Sequence, residues 1–135
     1  MTVHGRRVPL SPALVRRVVE AVLREERRDA IISVTFLGRD AMRRMNAEHK
    51  NHDRPTDVLT FTLQGPVRQV VGDMYICAWV AQREARERGI PLRKELIRLV
   101  VHGTLHVLGR DHPEGPERTR SAMWRRQERY VETLA

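Results

Sequence analysis

The sequence predicts an α+β domain, one small sheet with helices packed on it, and three observations carry that prediction. Stretches of period-2 alternation interleave with stretches of helical period, in the order β-α-β-α-β-β-α-α-α. One helical stretch, Leu92 to Leu108, is apolar round more than half its circumference, so it belongs in the centre. And 135 residues are enough for one domain with a real hydrophobic core.

The elements follow in order. Val3 to Val8 reads as a short first strand. Ser11-Pro12 is an N-cap followed by Pro at the first helical position. Leu14, Val15, Val18, Val19 and Val22 then recur at helical spacing, which carries a helix to about Arg27. Ile31 to Leu37 alternates and is rich in β-branched residues, a strand broken by Gly38. Asp40 to about Glu48 is a second helix, and His49 to Thr56 a polar loop. Val58 to Leu63 alternates again, Gly65-Pro66 turns, and Gln69 to Cys77 is another strand. Ala78 to Arg88 is a helix closed by Gly89 and Pro91. The central helix ends at Gly109, and a last amphipathic helix runs from about Pro116. Trp79 and Trp124 fall on helices and read as core. The runs Arg24–Arg28 and Arg83–Arg88 interleave with Glu and read as solvated helix faces.

Composition narrows the function. Hydrophobic residues at 41% and charged residues at 31% describe a folded chain. No run is long enough to span a bilayer, and the first ten residues lack the apolar core of a signal peptide. A cytoplasmic protein without a membrane partner is the expectation, and a monomer. Cys77 is the single cysteine, which excludes an internal disulfide and a cysteine-based zinc site. The formal charge is +8, nearly all from Arg, since Lys occurs only at positions 50 and 94. Such a balance points to polyanions, RNA first among them. A solvated surface in an Arg-rich chain is the plain alternative. Aromatics at 4% leave few platforms for stacking bases, so contact with a nucleic acid would run through phosphates.

The stretch VVHGTLHVLGRDHPEG holds His102, His106 and His112, three of the six histidines. His102 and His106 are four apart on a helix, hence on one face and about a turn apart. Gly109 tolerates the positive φ that turns the chain, so His112 can fold back toward the same point. Three neutral imidazoles leave one tetrahedral position open, the arrangement of a catalytic zinc, and nitrogen ligands favour zinc over magnesium or calcium. Three histidines by chance is the rival reading, but buried imidazoles without a partner would be costly. Asp111 is a candidate acceptor for a ligand imidazole. Gly103 stands where zinc peptidases of the H-E-x-x-H type carry a Glu that takes a proton from the zinc-bound water. It can do no such thing; either it leaves room beside the metal for a phosphodiester or it is small for packing. The metal alone can still lower the pKa of water to about 7 and polarise a substrate oxygen.

HGTLHVLGRDH resembles the signature of the YbeY family, bacterial metal-dependent endoribonucleases of rRNA maturation. MNAEHKNHDRPTDVLTF (Met45 to Phe61) and GDMYIC (Gly72 to Cys77) fit in order and spacing, so the resemblance covers most of residues 30 to 112. It implies a zincin-like α+β fold, a small mixed sheet with helices packed around a central metal-binding helix and an edge strand bordering the metal groove. It implies one zinc on His102, His106 and His112, and single-stranded RNA as substrate, notably the 3′ end of small-subunit rRNA. It implies a part in ribosome quality control, with the small ribosomal subunit as partner.

The chain departs from the family at His49-Lys50, where Tyr-Arg is usual and the Arg is thought to contact RNA. Lys50 keeps the charge without the planar fork, so it would meet phosphate as a point charge, or a neighbour such as Arg54 would take over. His49 and His52 flank it and read as solvated loop residues, a proton donor being the other reading. Arg110 replaces a more usual Tyr. Arg43 and Arg44 precede the loop and are further candidates for phosphate. Asp57 reads as a turn or capping acceptor in preference to a catalytic group; Asp73 is either a sheet acceptor or a support for a metal ligand. Three functions fit: a zinc-dependent endoribonuclease, a peptidase-like zinc hydrolase, and a non-enzymatic ribosome-assembly factor with a structural metal. The histidine spacing suits the second, but Gly103 and the charge oppose it.

Overall fold

The computed structural model describes residues 1–5, 9–64, 70–110 and 121–135. Among these the chain forms β1 (Thr2–His4), α1 (Pro12–Glu26), β2 (Ala30–Leu37), α2 (Arg39–Lys50), β3 (Val58–Gln64), β4 (Val70–Cys77), α3 (Ala78–Arg88), α4 (Leu92–Val107) and α5 (Ala122–Leu134). The sheet has the order β1-β2-β4-β3. β1, β2 and β4 run parallel, and β3 is an antiparallel edge strand. The expected α+β element order is the observed one.

Local chemistry explains the boundaries. Ser11 Oγ accepts from the Leu14 amide at 3.1 Å and starts α1, with Pro12 behind it. Gly89 closes α3 at φ 67°, and Gly109 follows α4 at φ 90°. The Gly109 and Arg110 amides return to the His106 and Leu105 carbonyls, both at 3.0 Å. The helix expected to stop near Glu48 continues through Lys50, because Asn51 takes the left-handed conformation at φ 58° and caps it. His49 and Lys50 therefore sit in a last helical turn, where cations face the carbonyl end, and not in the loop. The first strand is Thr2–His4; Arg6 to Val8 lie outside the described residues, as do Gly65-Pro66, Gln69 and Pro116.

α4 is the hub. Its buried residues pack against the sheet face that carries Ile32, Val34, Met74 and Ile76, with the Val15, Val18, Val19 and Val22 face of α1 beside it. Two glycines allow the close approach of helix and sheet. A Cβ on Gly72 would lie 2.6 Å from both Val107 methyls, and one on Gly103 would lie 2.6 Å from Met74 Cε and Sδ. The opposite face of the sheet is covered over one half by α2 and the start of α3, through Met42, Leu59, Cys77 and Val80. Cys77 is fully buried there, and burial pushes its thiol above the ordinary range. Trp79 corrects an expectation: it is 44% exposed, with the guanidinium groups of Arg39 and Arg83 over its ring at 4.9 and 5.3 Å. No helix among the described residues is long and apolar enough to cross a membrane.

Glu26, expected on a solvated face, is instead a buried clamp. Its carboxylate accepts from Arg110 at 2.5 Å, Arg126 at 2.8 Å and the Tyr130 hydroxyl at 2.7 Å, which ties the end of α1 to α5 and to the turn after α4. Burial alone would raise its pKa, but the hydrogen bonds from Tyr130, Arg110 and Arg126 outweigh it and hold the carboxyl below its ordinary value. A depressed carboxyl stabilises the fold above its unfolded pKa and loses that contribution as pH falls through the folded one. Glu26→Gln is thus expected to cost about 1–2 kcal/mol at neutral pH, because the Arg110 and Arg126 left behind are partly exposed to water. Its urea stability should also fall less steeply than the parent's on acidification below about pH 4.5. A variant with the parent's acid limb would contradict the clamp. Burial and the bond to Glu26 push Tyr130 up to about 12, so that residue stabilises below pH ~10 and weakens as pH climbs through the folded value.

Candidate metal centre

α4 presents His102 and His106 one turn apart. Their ring centroids are 6.0 Å from each other and the ring planes differ by 10°. His102 is buried and His106 half-buried. Two imidazoles on one face of a buried helix are a donor pair that suits a borderline metal such as zinc. His112 and Asp111, the expected third ligand and the expected acceptor, lie outside the described residues. Among the described residues no three His, Cys, Asp or Glu side chains are placed to hold a metal ion.

Behind His102 runs a polar chain that sequence reasoning missed. His102 Nδ1 lies 2.8 Å from Gln127 Oε1 on α5. Gln127 Nε2 donates to Glu128 at 3.1 Å. Glu128 takes three bonds of 2.7–3.2 Å from Arg98, and Arg98 reaches Glu95 at 2.7 Å. Gln127, Glu95 and Arg98 are all buried. The two carboxyls answer differently. Burial raises Glu95 despite its partners Arg98 and Arg88, whereas on Glu128 the same burial is outweighed by Arg98 and Gln127, and the value falls. A polar residue on an amphipathic helix 25 positions from its partner leaves no local mark in the sequence.

Gly103 answers the question left open by its small size. The space a side chain would fill belongs to Met74, a core residue of β4, so packing accounts for the glycine. The strand register then places the remaining candidates. Thr60 pairs with Met74 and Thr62 with Gly72, so the inner side of edge strand β3 carries these two threonines along the helix that bears the histidines. Asp73 alternates to the other face and is exposed, so the sheet lies between it and the α4 histidines His102 and His106. Asp57 holds the start of β3, its Oδ1 accepting from the Val58 amide at 2.8 Å.

The basic candidates gather at the end of α2 and in the loop after it. Lys50 Nζ stands 5.4 Å above the Phe61 ring, and His49 meets the same ring edge-on at 5.1 Å. Phe61 packs on the outer face, so Lys50 lies on the other side of β3 from α4. Arg44 and Arg54 are exposed, and the Arg54 carbonyl accepts from buried Asn46 at 2.8 Å, which fixes the loop. Arg43 grips Asp53 with two bonds of 2.9 and 3.2 Å. These bonds hold the Asp53 carboxyl below its usual value and raise Arg43.

A family model described as Endoribonuclease YbeY matches residues 8–135. A protein of Thermotoga petrophila named Endoribonuclease YbeY is 35% identical over 120 residues, 89% of this chain and 78% of that one. Its namesake from Persephonella marina is 33% identical over 130 residues, 93% of this chain and 84% of that one. A solution structure from Thermotoga maritima superposes with a TM-score of 0.69 at 30% identity, over 99% of this chain and 89% of that one. With a family match over nearly its whole length and a related fold, this chain belongs to the YbeY family.

Proposed function

We propose that this protein is a zinc-dependent endoribonuclease of zincin-like fold that cuts single-stranded RNA. Its substrate is the 3′ end of small-subunit rRNA, and it serves rRNA maturation and ribosome quality control as a cytoplasmic monomer. The observation that carries the reading is the pair of imidazoles on one face of α4, one of them anchored by Gln127, in a chain whose relatives are named endoribonucleases. His102 and His106 hold the ion together with His112. Bound zinc supplies Lewis acidity toward a phosphoryl oxygen and lowers the pKa of water to about 7.

The chain's own residues do the rest. Lys50, Arg44 and Arg54 meet backbone phosphates as an exposed basic rim, with Arg43 joining them when its fork leaves Asp53. Position 103 contributes no base, because glycine has no side chain to take a proton. The end groups of the products decide the nucleophile: a 2′,3′-cyclic phosphate beside a 5′-hydroxyl reports attack by the RNA's own 2′-hydroxyl, and a 5′-phosphate beside a free 3′-hydroxyl reports attack by water.

The test is cleavage of single-stranded fragments of the rRNA 3′ end by purified protein. Chelation is expected to stop cleavage, and stoichiometric zinc to restore it. Undiminished cleavage after chelation, in a preparation free of other nucleases, would remove the zinc reading. Turnover of unstructured peptides without RNA cleavage would favour a peptidase-like hydrolase. Binding to small-subunit particles with neither activity would leave an assembly factor.

A further inference from the structure

The polar chain behind His102 has only one consistent direction of proton donation. Arg98 can only donate, and it grips Glu128 from Nε and Nη2, so the Glu128 carboxylate can only accept. The end of the Gln127 side chain 3.1 Å from that carboxylate must therefore be its NH2 group. The reverse orientation would set two acceptor oxygens against each other. With the amide fixed, its carbonyl oxygen faces His102 Nδ1 at 2.8 Å and can only accept, so Nδ1 carries the proton. A neutral imidazole has one N–H, and the basic nitrogen is then Nε2.

We propose that Gln127 is a positioning residue that holds His102 in its Nδ1–H tautomer and so presents Nε2 to the metal. The inference rests on the metal reading above and adds to it which nitrogen binds and which residue selects it. Imidazole in water prefers the other tautomer, so the selection must come from the protein. Gln127 is 1% exposed and His102 is buried, so water competes poorly for the bond. Glu128 and Arg98 act one step further back, keeping the amide from turning over.

The first measurement needs no variant. A long-range proton–nitrogen spectrum of 15N-labelled, metal-free protein, taken where the imidazoles are neutral, is expected to show His102 protonated at Nδ1. A spectrum showing Nε2–H would overturn the proposal. The second uses Gln127→Met, which keeps length and loses the acceptor. Zinc affinity in a competition titration should fall about 10–100-fold, the usual effect of removing a ligand's hydrogen-bond partner, and the His102 tautomer should shift toward Nε2–H. A folded Gln127→Met protein with the parent's affinity and tautomer would also overturn it. If the parent binds no zinc, the metal reading falls, while the tautomer spectrum still rules on Gln127.

Discussion

His106→Ala is expected to leave the fold in place and to abolish zinc binding and RNA cleavage together. His106 lies near the end of α4 and is only half-buried, so truncation to Ala there removes little core packing. The expected effect on rate follows from the ion that His106 is proposed to help hold. A metal that stabilises a phosphoryl transition state by several kcal/mol accounts for about a thousandfold in rate at about 4 kcal/mol. His102→Ala should lose as much activity and also lose stability. Gln127 Oε1 would be left buried without its donor, at a cost of about 1–3 kcal/mol. Zinc stoichiometry, initial rates on single-stranded RNA and melting curves of the two variants check both statements. Parent-like cleavage by a His106→Ala protein with no bound zinc would end the proposed mechanism.

Gly72→Ala should be the most damaging small substitution away from the histidines, destabilising by about 3 kcal/mol, at the upper end for overpacking. The new Cβ would meet both methyls of Val107 at 2.6 Å. Valine on a helix has one strongly preferred rotamer, and with both branches in contact a rotation exchanges one clash for another. The strand and the last turn of α4 must separate, and His106 belongs to that turn. Weaker zinc binding should therefore accompany the loss of stability. Gly103→Ala meets Met74 at the same 2.6 Å, but methionine is long and adaptable and can swing its end aside. About half the cost is expected there. Urea denaturation of the two variants gives the comparison; equal effects, or a Gly72→Ala protein as stable as the parent, would show that helix and strand do not meet as described.

What could be read from the sequence was local. Ser11-Pro12, Gly89 and Gly109 each mark a helix end by their own chemistry, and each is found in that role. The i,i+4 histidine pair needed only helical spacing. Asn51 shows the limit of such reading: among polar neighbours it looked like loop, yet its tolerance of the left-handed conformation carried α2 through Lys50. That boundary moved Lys50 onto Phe61 and away from the histidines. Pairings across the chain left no trace at all. Glu26 finds its partners 84 to 104 residues away, so a glutamate among arginines looked like surface, and Gln127 finds its histidine 25 away with no local signal to single it out. Gly103 was undecidable until register set Met74 beside it.

Cys77, enclosed between the sheet and α3, gives the molecule a built-in reporter. A thiol that is neutral and sealed off from solvent ignores alkylating reagents while the outer layer stays shut. Its rate of labelling under native conditions therefore counts the moments when that layer lifts, a clock for local opening that requires no engineered probe.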